Sequence, residues 1–137
     1  MTLTALRDDA LLCAPDHTEL RLSLPWIRSL PLSSLIDPTV TIDGLEHPAE
    51  IALGDRRVAP ADLIAEDAWW FVQDRVVLHV PDAVAPGTHE IAVSFGLEIP
   101  YLPGGPDSPL RLPFRFAREL SNQMPQQREA RDVGVTA

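Results

Sequence analysis

Four histidines, one cysteine and a scatter of acidic pairs are what this sequence offers to chemistry. His17, His47, His79 and His89 show neither His-x-His nor His-x-x-x-His spacing, the patterns that put two imidazoles on one face for a metal, so they read as exposed or turn histidines. Cys13 has no basic neighbour in sequence to lower its pKa and reads as a small buried hydrophobe. No Gly-x-Ser-x-Gly elbow presents a nucleophile, and no glycine-rich loop follows a strand to cradle a phosphate. Gly104-Gly105 is flanked by prolines, which is turn chemistry. The acidic pairs Asp8-Asp9 and Glu66-Asp67 could exchange protons, but adjacent residues on a strand point to opposite faces, which favours solvated carboxylates.

The aromatic residues are more informative. If Trp69-Trp70 lies in a strand, one ring packs inward and the other outward, and an outward indole serves as a stacking platform for a sugar or as an interface anchor. The alternative is that loops of the same chain cover both rings. Tyr101, in a proline-rich segment, is a second candidate anchor, with its hydroxyl as a polar handle.

The elements that must position these residues read as strands. Glu90 to Ile99 alternates without a break, with Ile91, Val93, Phe95, Leu97 and Ile99 on one face. Val76, Leu78 and Val80 alternate likewise, and folding about Pro86-Gly87 predicts a central hairpin pairing Val80 with Val93, Leu78 with Phe95, Val76 with Leu97 and His79 with Ser94. Leu20, Leu22 and Leu24 define an earlier strand with Arg21 and Ser23 outward. Ala10 to Cys13 reads as a short edge strand, 39–42 and 50–53 as short strands turning at Asp43-Gly44 and Gly54-Asp55, and 58–64 as one helical turn. Leu110, Leu112, Phe114 and Phe116 face inward on a last strand, which Pro113 marks as an edge or a bulge. Proline and glycine supply six of the ten residues from Pro100 to Pro109, a composition that predicts no regular element there. The expectation is all-β: an antiparallel sandwich or partly open barrel of about seven short strands, one domain over 1–116, and a polar, mobile tail over 117–137.

Composition narrows the function. With 137 residues the chain can bury about two thirds of its unfolded surface without staples. Its formal net charge of −9 argues against nucleic acid or an anionic membrane as partner. Proline, at 14 residues, is about twice the usual share and falls between apolar runs. The first residues lack a basic region followed by an apolar core, and no run approaches a membrane span, so a cytoplasmic protein is expected. The connection from Pro25 to Ile36 is unusually apolar for a loop: it covers an open end of the core or lies against another protein.

Beside this reading stands a resemblance. Pro25-Trp26-Ile27-Arg28-Ser29-Leu30-Pro31-Leu32-Ser33, the Val-x-Ile-Asp-Gly strand at Val40 to Gly44, Trp69 to Phe71, Pro86 to His89, and Ile-x-Tyr-x-Pro at Ile99 to Pro103 follow one another in an order that resembles the small β subunit of bacterial C-glycoside deglycosidases. The likeness covers roughly residues 15–116; Ser29 stands where relatives often carry glycine, and the tail is unmatched. It implies a two-subunit lyase acting on C-glucosides, including flavonoid glycosides, already oxidised at sugar C3. A barrel-type α subunit would carry the acid and base residues and a divalent metal such as Mn²⁺, with no cofactor and no catalytic residue in this chain. Arg28, Leu30, Pro31, Tyr101 and Leu102 are then the expected contacts with the α subunit. A stand-alone carbohydrate-binding sandwich using Trp69 or Trp70 as its platform is the alternative.

Overall fold

The computed structural model describes residues 5–106, 108–122 and 131–133. The early strands are β1 (Leu11–Cys13), β2 (Thr18–Ser23), β3 (Leu30–Pro31), β4 (Leu35–Ile42), β5 (Leu45–His47), β6 (Glu50–Leu53) and β7 (Arg56–Val58). They are followed by β8 (Trp69–Trp70), β9 (Asp74–Val80), β10 (Thr88–Gly105), β11 (Ser108–Ser121) and β12 (Arg131–Asp132). The only helical pieces among the described residues are 3-10 turns at Leu32–Ser34 and Pro60–Ala65, the second with Pro60 in its first turn, where a missing N–H costs nothing.

One sheet runs β1-β2-β9-β6-β7, a second β11-β10-β4-β5, and β3 pairs with β8 alone. The pairs are antiparallel except that the two-residue β12 lies parallel to β9. The inner faces of the two larger sheets share one core. Leu20, Leu22, Ile51, Val76, Leu78 and Val80 come from the first; Val40, Ile42, Ile91, Val93, Leu97 and Ile99 come from the second. The all-β expectation holds, without a closed barrel and with more strands than expected, two of them, β10 and β11, much longer than the rest.

The central hairpin does not form. β9 pairs with β2 and β6, and β10 pairs with β4 and β11, so Val76, Leu78 and Val80 face the β10 side chains across the core instead of lying beside them. His79 accordingly stands opposite Glu19 and Glu50, not Ser94. Alternation determines which face is buried but not which strand is the neighbour. The connection from Pro81 to Gly87, with two prolines, carries the chain from one sheet to the other.

Further details differ. β4 begins at Leu35, and β5 and β7 follow the tight turns at Asp43-Gly44 (φ 52° and 84°) and Gly54 (φ 63°), left-handed conformations that suit hairpin loops. Ser23, expected outward, is buried. The segment from Pro100 is extended, because beyond Leu97, where β4 stops pairing, β10 and β11 continue as a two-stranded arm. Register shifts between Ile99 and Pro103 and again before Gly105 absorb the prolines. The last strand is an edge, as Pro113 suggested, but β11 runs past Ala117 to Ser121, and Leu120 is buried. The expected mobile tail falls mostly at 123–130 and 134–137, outside the described residues; Val133 is buried in the core.

Candidate functional site

The segments singled out for binding meet at one end of the molecule. After Pro25 stops β2, the chain bends through Trp26-Ile27-Arg28 into β3, where Leu30 pairs with Trp70 and Pro31 with Trp69. The Val72 N–H donates to Ser29 Oγ at 3.1 Å, and the Leu32 N–H donates to the Ala68 carbonyl at 2.9 Å. Across from these, the Trp26 Nε1–H donates to the Tyr101 hydroxyl at 2.6 Å, and the Arg28 guanidinium lies 5.7 Å from the Tyr101 ring centroid. Three segments distant in sequence are thereby tied together: 26–31, 69–72 and the start of the arm.

The period-two alternation of β8 sorts the two indoles. Trp70 is fully buried, its Nε1–H donating to the Asp74 carbonyl at 3.2 Å, whereas Trp69 is 48% exposed. Ile27, Phe71, Val72 and Tyr101 are also large apolar or aromatic side chains left open to solvent on these segments. Leu102 is half-buried against the core, and with Tyr101, Pro103 and Pro109 it lines a shallow depression of about 400 Å³ on the arm. Pro31 is half-buried. Leu30, expected as a contact, is fully covered by this chain's own residues. It stands behind the surface because its backbone is paired with buried Trp70, and Ile27 takes the exposed position.

The titratable groups are held by one another. His17 sits between two carboxylates, Nδ1 2.7 Å from Asp16 Oδ1 and Nε2 2.7 Å from Glu19 Oε2, and stacks on His79 with centroids 4.7 Å apart. Glu19 first and Asp16 second push the His17 pKa up. Burial, reinforced by Arg57 and His17, pushes that of His79 down, and its Nδ1 has no hydrogen-bond partner among the described residues. His89 places Nδ1 2.6 Å from Asp43 Oδ2 and Nε2 2.6 Å from the Ala85 carbonyl. Both neighbours accept only, so this geometry favours the ring with both nitrogens protonated, in keeping with a pKa raised by Asp43 and then Ala85. His47 is buried beside Asp82 at 3.0 Å. The histidines, expected to be exposed or in turns, are thus buried or half-buried and, apart from His79, carboxylate-bound. Cys13 is buried, and burial raises its thiol pKa. Among the described residues, no three of His, Cys, Asp and Glu converge as a metal site.

Arg28, Tyr101, Trp69 and Trp70 were each visible in sequence; their union was not. The Trp26–Tyr101 bond spans 75 residues, a separation at which no local pattern carries information.

The fold and this end define a β-sandwich chain that presents a bound-together aromatic face to its surroundings. No model of a known protein family matches the sequence. The chain is, however, similar to the 3'-dehydrocarminate deglycosidase beta subunit of a Microbacterium species, 36% identical over 101 residues, which cover 69% of this chain and 76% of that protein. It is also similar to the C-glycoside deglycosidase beta subunit of Microbacterium trichothecenolyticum, 37% identical over 84 residues covering 58% of this chain and 64% of that one. A protein of the same description from Arthrobacter globiformis is 32% identical over 85 residues, covering 58% and 65%. The chain belongs to the C-glycoside deglycosidase beta subunit family.

Proposed function

We propose that this chain is the accessory subunit of a heteromeric C-glycoside deglycosidase and docks on its larger partner through the face carried by residues 26–31, 69–72 and 101–103. The observation that supports this most is that Ile27, Trp69, Phe71, Val72 and Tyr101 remain exposed on segments tied to one another, in a member of a beta subunit family. A face rich in Trp, Tyr and Phe with an arginine among them has the composition of an interface centre.

In this reading the partner carries the chemistry and its divalent metal, Mn²⁺ being the expected ion. The substrate is a C-glucoside with a ketone at sugar C3, which acidifies the hydrogen on C2. A base removes that hydrogen, its electron pair forms the C1–C2 double bond, and the bond from C1 to the aryl carbon breaks. The departing electron pair stays with the aglycone, which takes up a proton. The present chain completes the assembly and shapes it.

The test is size-exclusion chromatography with light scattering on the chain alone and co-expressed with the partner subunit, followed by assay on a 3-oxo-C-glucoside. A mixed complex, active only when both chains are present, is expected. A chain that stays monomeric beside the partner at micromolar concentration overturns the proposal. The exposure of Trp69 favours the second reading, a stand-alone sugar-binding module, which requires the isolated chain to bind sugar and Trp69→Ala to abolish it.

A further inference from the structure

The docking face contains one charged group whose bonding is incomplete. Arg28 is exposed, and among the described residues it has a ring beneath it but no carboxylate. Carboxylates are in excess in this chain, with 20 acidic residues against 11 basic ones. Arg21, Arg56, Arg75, Arg111 and Arg118 each reach an Asp or Glu oxygen within 3.1 Å. Tyr101 adds a second donor at the same place. Its oxygen accepts the Trp26 indole N–H at 2.6 Å, and its own O–H has no acceptor among the described residues. A guanidinium held against a ring by cation–π attraction loses less freedom on binding than a free side chain does, and its fork of N–H groups matches a carboxylate in geometry.

We propose that Arg28, seated on Tyr101, is the polar anchor of the docking face and receives a carboxylate of the partner subunit, with the Tyr101 hydroxyl as a further donor to the same group. This rests on the docking reading above and adds to it the chemistry the partner must present: an Asp or Glu side chain, or a chain-terminal carboxylate, set among apolar residues. Arginine suits the position and lysine does not, since a point charge forms no bidentate pair and stacks poorly. In an apolar setting the pair gains strength, and once assembled either partner left alone would be a desolvated charge.

The experiment measures affinity between the separately purified full-length chain and its partner subunit over a series of sodium chloride concentrations. Arg28→Met retains the packing stem, Arg28→Lys the charge and Ile27→Asp the anchor, and the melting temperature of each variant is checked first. Wild-type affinity should fall with salt. Arg28→Met should bind about 30-fold or more weakly, because truncating one partner of a desolvated charge pair has an effect of that size, and its salt dependence should be flatter. Arg28→Lys should recover only part of the loss. If Ile27→Asp abolishes assembly while Arg28→Met leaves both affinity and salt dependence unchanged, the anchor is wrong and the docking face stands. Should neither substitution matter to a complex that forms, both are wrong. Salt-sensitive self-association of the chain that depends on Arg28 would also overturn the anchor, placing the carboxylate on a second copy.

Discussion

Two adjacent tryptophans should fail in opposite ways. Trp70 is fully buried and donates to the Asp74 carbonyl, so Trp70→Ala leaves a large cavity and removes a hydrogen bond. Truncations of this kind cost about 3–5 kcal/mol, a large part of the roughly 5–15 kcal/mol that holds a domain together. For a chain of this length that corresponds to a fall in melting temperature on the order of 10–20 °C. Trp69 is 48% exposed, so about half of its ring contributes to the fold. At ~25 cal/mol per Å², the covered half of a roughly 200 Å² side chain is worth about 2.5 kcal/mol at most, before relaxation. In the assembled complex the ranking reverses. Trp69→Ala should weaken association about 30-fold, as loss of an aromatic anchor does, while leaving the chain folded. Thermal melting of the isolated variants and titration with the partner subunit read the two effects separately. Equal destabilisation by both substitutions, or full affinity in Trp69→Ala, would refute the sorting of these rings into core and surface.

The His89 latch predicts a pH dependence. Its folded pKa is raised, so its contribution is fully present below the unfolded value of about 6.5 and is lost as pH rises through the folded one. Asp43, whose pKa is lowered by His89 and the Glu90 N–H, loses its contribution as pH falls through its own folded value, so the pair acts between these limits. Urea melts of wild type and His89→Gln should therefore converge on the alkaline side. His79 works the other way: its depressed pKa means that it contributes above about 6.5 and destabilises as pH falls through the folded value, a cost that His79→Gln should remove. At Gly104 a Cβ would lie 2.5 Å from the Pro109 carbonyl oxygen and 2.7 Å from Leu110 Cα. Gly104→Ala should open the arm, weakening assembly and speeding amide exchange at its tip with little change in melting temperature. Arg75 is 1% exposed and bonded to Asp9 at 2.7 Å, so Asp9→Ala should cost about 3 kcal/mol in denaturant unfolding, while Arg75→Met, which removes the buried charge, should cost less.

Strand faces were legible because burial alone dictates them: Leu20, Leu22, Val40, Ile91, Val93 and Leu97 all point inward as their alternation requires. Strand partners were not. Val76, Leu78 and Val80 fit a hairpin with β10 as well as they fit β2 and β6, and only the reach of Pro81 to Gly87 between two sheets decides the matter. Composition misled at the arm, where each proline lacks a donor but the two-stranded ladder does not need one at a bulge. At the candidate site, Arg28, Tyr101 and Trp69 stood out by residue type, yet Leu30 was indistinguishable from its exposed neighbour Ile27. Which of the two turns inward depends on pairing with Trp70 from a strand 40 residues away, as Leu30 opposite Trp70 shows.

Arg75 also has a bearing on the time course of folding. Its guanidinium takes Asp9, 66 residues earlier, and its carbonyl takes the N–H of Val133 from near the other end. Where β6 stops pairing with β9, β12 occupies the vacant edge at Asp74 and Arg75. A nascent chain emerging from the ribosome can lay β9 against β2 and β6, but that edge stays open until 131–133 follow. An unpaired strand edge is what neighbouring chains seize upon, and topologies built from distant segments close slowly. Between synthesis of β9 and synthesis of 131–133 this stretch of edge is therefore open to pairing with another chain.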